Sequence, residues 1–189
     1  MSHPSRAPDR ADAFRSLYES AYGDLLRFVQ RRTEATSAED VVAEAFLVVW
    51  RRFAEAPSSE DDARAWVFGI TRNLLLNARR GELRRQSLGV RLADVSPDLF
   101  SASHADLVGS RIDLSRAWVL LSEVHQETLG LAVFENMAAP QAAKVLGISP
   151  VAFRLRLTRA RRALRLLFDH LPHHAAGVPA ASPEKASTL

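Results

Sequence analysis

The sequence predicts an all-α fold: two small helical domains joined by a flexible linker, the C-terminal one a helix-turn-helix. Three observations predict it. Apolar residues recur at the spacing of a helix with one buried face, and no run alternates as a half-buried strand would. Residues 81–111 mix Gly, Ser, Pro and Asp without a period and divide two periodic blocks. Near the end a short apolar segment, Gly147 and a long basic segment follow one another, the order of a helix-turn-helix. The expected parts are a tail at 1–10, a first domain at 11–80, the linker at 81–111, a second domain at 112–171 and a disordered tail at 172–189.

The N-terminal residues are polar and Pro-bearing, which predicts a loose tail with no signal peptide. Phe14, Leu17, Tyr18 and Ala21 predict a first helix, broken at Gly23 or Asp24. Leu25, Leu26, Phe28 and Val29 predict a second, ending at Arg31 and Arg32. Ser37-Ala38-Glu39-Asp40 reads as a capping box that opens a helix over residues 38–55. Val42, Phe46, Val49 and Phe53 form its inward stripe, and Ala43, Leu47 and Trp50 form a second apolar stripe. A helix apolar on two sides is either sandwiched in its own domain or offers a partner surface, here ringed by Asp40 and Glu44.

Residues 56–62 predict a polar loop that includes Asp61 and Asp62. A helix over 63–80 follows, with Trp66, Val67, Ile70 and Leu74 on its apolar face. Asn73 and Asn77 fall at the polar edge of the Trp66 stripe. Two amides beside an indole can stack against and hydrogen-bond an exposed base. Taken alone, this helix fits a boundary Trp beside polar neighbours better.

Past the linker, Leu114, Trp118, Leu121, Leu129 and Phe134 continue the helical period. Pro140 opens a short helix packed through Ala142, Ala143 and Leu146, and Gly147 permits the turn. Ser149 caps the last helix. At about 100° per residue, Phe153, Leu157, Ala160, Leu164 and Phe168 fall on its buried side. Val151, Leu155, Thr158 and Arg162 fall opposite, flanked by Arg154 and Arg159. The segment holds six arginines and no acid (Arg154, Arg156, Arg159, Arg161, Arg162, Arg165). In a helix-turn-helix such a helix enters the DNA major groove.

Composition narrows the function. The formal charge of +3 is small, so basicity is local: acids crowd residues 37–62 and arginines crowd 69–91 and the end helix. The absence of cysteine excludes disulfides and Cys-ligated zinc. The histidines are scattered or lie in tails, and no Gly-rich phosphate loop occurs, so the chain predicts neither an enzyme nor a cofactor. No apolar run is long enough to span a bilayer, so no membrane partner is expected and a cytoplasmic location is.

Two blocks in this order resemble the extracytoplasmic-function group of bacterial sigma factors, the promoter-recognition subunits of RNA polymerase. The first is AEDVVAEAFLVVWRRF followed by ARAWVFGITRNLLLNARR; the second is AAKVLGISPVAFRLRLTRARRALR. The family's DLVQE-like motif falls on Asp40, Val41, Val42, Ala43 and Glu44, with Ala43 in place of the usual Gln. The resemblance implies that Asp40, Glu44, Leu47 and Trp50 bind core polymerase on the clamp coiled coil of its largest subunit, along with contacts to other core subunits. It implies that Asn73 reads a flipped base of the minus-ten promoter element, with Trp66, Asn77, Asp61 and Asp62 around it. It implies that Val151, Arg154, Leu155, Thr158 and Arg159 read the minus-thirty-five element, with Leu155 where a small polar residue is usual. Asn136 and Ala138 replace the usual Gly and Ser before the helix-turn-helix, and Pro140 and Gln141 replace acids. An anti-sigma protein is a further partner the resemblance allows. The alternative is a polymerase-independent helix-turn-helix regulator that binds duplex DNA as a dimer.

Overall fold

The computed structural model describes residues 7–33, 35–86 and 108–170. Its helices, in order, are α1 Ala7–Gln30, α2 Ala35–Arg51, α3 Glu60–Gln86, α4 Val108–Val119, α5 Glu123–Val133, α6 Ala139–Leu146 and α7 Pro150–His170. A 3-10 turn, Phe53–Glu55, follows α2. No strand occurs among the described residues, as the periodicity predicts. No helix among them is long and apolar enough to cross a membrane.

Several boundaries differ from the sequence reading. The expected tail turns helical at Ala7, and α1 runs unbroken through Gly23. Glycine costs about 1 kcal/mol in a helix interior. Leu17, Ala21, Leu25 and Phe28 carry one buried face across it, and each large side chain buried gains about 1.5–3 kcal/mol. Burial outweighs propensity. Ser37 lies inside α2 and caps nothing, because the chain is already helical from Ala35, a strong helix former. At its other end α2 stops at Arg51, and the chain tightens into the 3-10 turn.

The third helix also starts early. The Ser59 hydroxyl accepts from the Asp62 backbone N–H at 3.2 Å, the bond of an N-cap. Glu60, Asp61 and Asp62 then fill the first turn, where carboxylates meet the positive end of the helix dipole. Asp61 and Asp62 therefore stand on α3 rather than in a loop. This helix continues past Gly81 to Gln86, and α4 begins at Val108, so both ends of the expected linker are helical. Residues 87–107 and 171–189, where the rest of the linker and the C-terminal tail were expected, lie outside the described residues.

The first three helices pack around Leu25, Phe28, Val42, Val49, Val67 and Phe68. Phe28 and Phe68 meet edge-on at 5.0 Å. The same core continues into the second half through Leu131, Met137, Ala142, Val145, Leu146 and Phe153. Helix α6 lies directly on α3, so close that a Cβ added at Gly69 would stand 3.9 Å from the Val145 Cα. A smaller cluster of Trp118, Leu121, Leu129 and Ala160 ties α4 and α5 to α7. The halves are thus docked on one another, a packing the sequence reading did not foresee.

Candidate nucleic-acid interface

The helix-turn-helix is built as the sequence predicts. Pro140 sits in the first turn of α6, and Ala142, Ala143, Val145 and Leu146 are buried beneath it. Gly147 takes φ 67, the left-handed region. Its N–H donates to the Lys144 carbonyl, and the Ile148 N–H to the Ala143 carbonyl at 3.0 Å. The Ser149 hydroxyl then accepts from the Ala152 N–H at 3.2 Å and caps α7. Asn136 also has a positive φ of 48. Asn is among the few side chains that tolerate this region, so the chain keeps the glycine-like turn without glycine.

Phe153 and Ala160 face inward on α7. Val151 is 70% exposed and Leu155 52% exposed. Arg154, Thr158 and Arg159 are exposed beside them. The five expected duplex-reading residues therefore share one outward face. The Thr158 hydroxyl donates to the Arg154 carbonyl at 3.0 Å, leaving its methyl and oxygen lone pairs for a partner.

On α3, Trp66 is half-buried against the core, while Asn73 and Asn77 are exposed on the same stripe. Asp61 is also exposed. Asp62 is occupied: it pairs with Lys144 Nζ at 2.7 Å and accepts from Gln141 Nε2 at 3.2 Å. The Lys144 hydrogen bond holds its carboxyl below the ordinary carboxylate range.

On α2, Val42, Phe46 and Val49 are buried. Asp40 and Glu44 are exposed on the other side, with Leu47 57% and Trp50 40% exposed. Trp50 is held in place. The Arg10 guanidinium stands 4.7 Å from its ring centroid, Arg10 Nη2 donates to the Trp50 carbonyl at 2.5 Å, and the Phe14 ring packs edge-on at 5.0 Å.

The sequence reading missed a set of ion pairs between the halves. Arg72 grips Glu127 with two bonds, at 2.6 and 3.0 Å. Arg79 grips Glu123 likewise, at 2.5 and 2.9 Å. Arg31 pairs with Glu135, which is buried. Arg64 bridges the Glu135 carbonyl at 3.1 Å and Asp24 at 2.7 Å. Burial pushes the Glu135 carboxyl above its ordinary range even though Arg31 pulls the other way. Burial likewise lowers the Arg32 guanidinium to about 10, against the pull of Glu135. The one sequence signal for these contacts is Glu123 and Glu127, a helical turn apart, facing an arginine-bearing helix.

Residues 17–85 match the family model described as Sigma-70 region 2. The chain is 30% identical over 166 residues to the ECF RNA polymerase sigma factor SigL of Mycobacterium tuberculosis, covering 87% of this chain and 94% of that protein. It belongs to the extracytoplasmic-function RNA polymerase sigma factors. Among solved structures, the fold matches CnrH, in complex with the cytosolic domain of CnrY, with a TM-score of 0.55 at 25% identity, over 84% of this chain and 89% of that one. It also matches the sigma factor RpoE, in complex with the anti-sigma factor NepR, from Bartonella quintana, with a TM-score of 0.63 at 23% identity, over 84% and 98% of the two chains. Family membership gives no support to the dimeric regulator.

Proposed function

We propose that this sigma factor directs core RNA polymerase to promoters by a two-point reading of DNA. The observation that carries the reading is the division of exposed surfaces. The outer face of α7, which carries no acid from Val151 to Arg165, and the apolar patch of α2 lie on different halves, and Asn73 and Asn77 are accessible on α3. Leu47 and Trp50, with Asp40 and Glu44 beside them, bind polymerase. Arg154 and Arg159 donate to base edges of the minus-thirty-five element, with Val151, Leu155 and Thr158 making apolar contact with thymine methyls. Asn73 captures a base of the minus-ten element on its hydrogen-bonding edge, with Trp66 and Asn77 around it. Asp61 accepts from base amino groups, and Asp62 joins it once Lys144 lets go. Flipping a base costs a few kcal/mol, which capture returns, so strand opening needs no nucleotide hydrolysis.

Such a protein works in the cytoplasm, where polymerase and promoter DNA meet. The solved relatives bound to NepR and CnrY support an anti-sigma protein as a third partner. Run-off transcription tests the reading: core polymerase with this protein initiates at defined sites on genomic templates. Transcription that is no more site-specific with the protein than without it refutes the proposal.

A further inference from the structure

We infer that the docked arrangement is a self-masked state, in which acids of α5 occupy the arginines of α3 that would otherwise take DNA phosphates. The inference rests on the promoter-reading proposal above. Arg72 flanks Asn73, and Arg79 lies two turns further along the same helix, just past Asn77. Both are engaged bidentately by carboxylates, Glu127 and Glu123. A planar guanidinium held by two parallel bonds to carboxylate oxygens is in the same geometry it uses for a phosphate. The acids therefore stand in for phosphates at those two positions. Asp62, at the head of α3, is masked in the reverse sense by Lys144 of α6. Among the described residues nothing covers the outer face of α7 in this way, and the masking they show falls on the strand-capturing half.

The contact is more than surface charge. Beneath it Val145 closes on Gly69, and Leu131, Met137 and Leu146 join the core of the first half. Undocking α5 and α6 would bare this apolar surface, so release has to be coupled to a competing partner. DNA phosphates compete for the arginines, and polymerase holds the first half through α2, on residues outside the docked contact. Apparent affinity for single strands then falls by the fraction of chain that is undocked.

A covalent lock tests this in the full chain, which has no cysteine of its own. Gly69→Cys with Val145→Cys joins the two faces where they touch. The probe is a short fluorescein-labelled DNA single strand, with a helix-turn-helix target duplex taken from a run-off start site as the second probe. Oxidised, the variant is expected to bind the single strand at least tenfold more weakly than when reduced, and to bind duplex equally well in both states. The salt dependence of single-strand binding is expected to lose about 1.4 units of slope on locking, for two phosphates at roughly 0.7 each. Glu123→Gln with Glu127→Gln is expected to shift affinity the other way, by about threefold to tenfold. Locked and reduced chains that bind the strand alike would overturn the masking and leave the promoter reading intact. So would failure of the pair to cross-link in a chain whose circular dichroism is unchanged, because the faces would then not meet. Failure of every variant to bind the strand, along with failed run-off transcription, would overturn both.

Discussion

Glu135 offers the sharpest measure of how firmly the halves hold together. Its side chain is 2% exposed, and its partner Arg31 is 21% exposed. Glu135→Ala leaves the Arg31 guanidinium without its anion in a mostly dry site. Removing one member of a buried pair costs about 3–5 kcal/mol. Arg31 retains some water, so the lower end applies, about 3 kcal/mol. Glu135→Gln keeps the shape and an acceptor oxygen while removing a charge that burial already disfavours; about 1 kcal/mol is expected. At a urea m-value of about 2 kcal/mol/M, the midpoint should fall by roughly 1.5 M for Ala and 0.5 M for Gln. Urea titration followed by tryptophan fluorescence reads both. Loss of less than about 0.5 kcal/mol for Glu135→Ala, no more than a surface substitution gives, would mean that the carboxylate is solvated and the halves are not docked as described.

Four further outcomes are expected. Asp62 and Glu123 titrate below the ordinary carboxylate range when docked, held by Lys144 and Arg79; undocked, they return to it. Their contribution to docking is thus full above roughly pH 4–4.5 and is lost as pH falls through the lowered values. Glu135, raised, has the opposite sign: its contribution is present below that range and is lost as pH rises through the raised value. Dyes on Glu19→Cys and Arg161→Cys, both exposed, should report looser docking on acidification below pH 4, and no change there would refute the pairing. Leu47→Asp should abolish co-purification with core polymerase, whereas undiminished recovery would exclude the α2 surface. Asn73→Ala should slow open-complex formation at least tenfold with duplex binding unchanged, and equal loss of both would remove the capture role. Arg159→Ala should relax discrimination at one upstream base pair by about 1–3 kcal/mol, visible in binding to single-base variants of the site.

What was legible in the sequence was whatever repeats locally. The α7 stripe from Phe153 to Leu164, the Gly147 turn and the Val42–Phe46–Val49 face all follow from helical spacing and turn chemistry, and each stands where expected. Boundaries were misread where a local rule met a longer-range force. Gly23 was overruled by the buried run on either side of it, and Ser37 by a helix that had already begun. Ser59 caps the true start of α3 from within a polar stretch that reads as loop. The docking of the halves could not be read. Arg72 and Glu127 lie 55 positions apart, and Arg31 and Glu135 lie 104 apart. Such pairs leave no period, and the apolar face of α6 would look the same whether it covered α7 or α3. The candidate α7 and α2 residues were therefore located correctly as exposed, while the state of Asp62 was not.

The grip of Arg10 and Phe14 on Trp50 has a consequence for the strength of recognition. An indole free to sample its rotamers must be frozen on binding, and that ordering subtracts from affinity. Here the ring is braced from behind by the first turns of α1, with its outer edge left bare. An incoming surface meets a rigid knob rather than a swinging one. Clipping the chain just past residue 10 removes the Arg10 brace and should therefore weaken binding of the large assembly while leaving Leu47 and Trp50 in place.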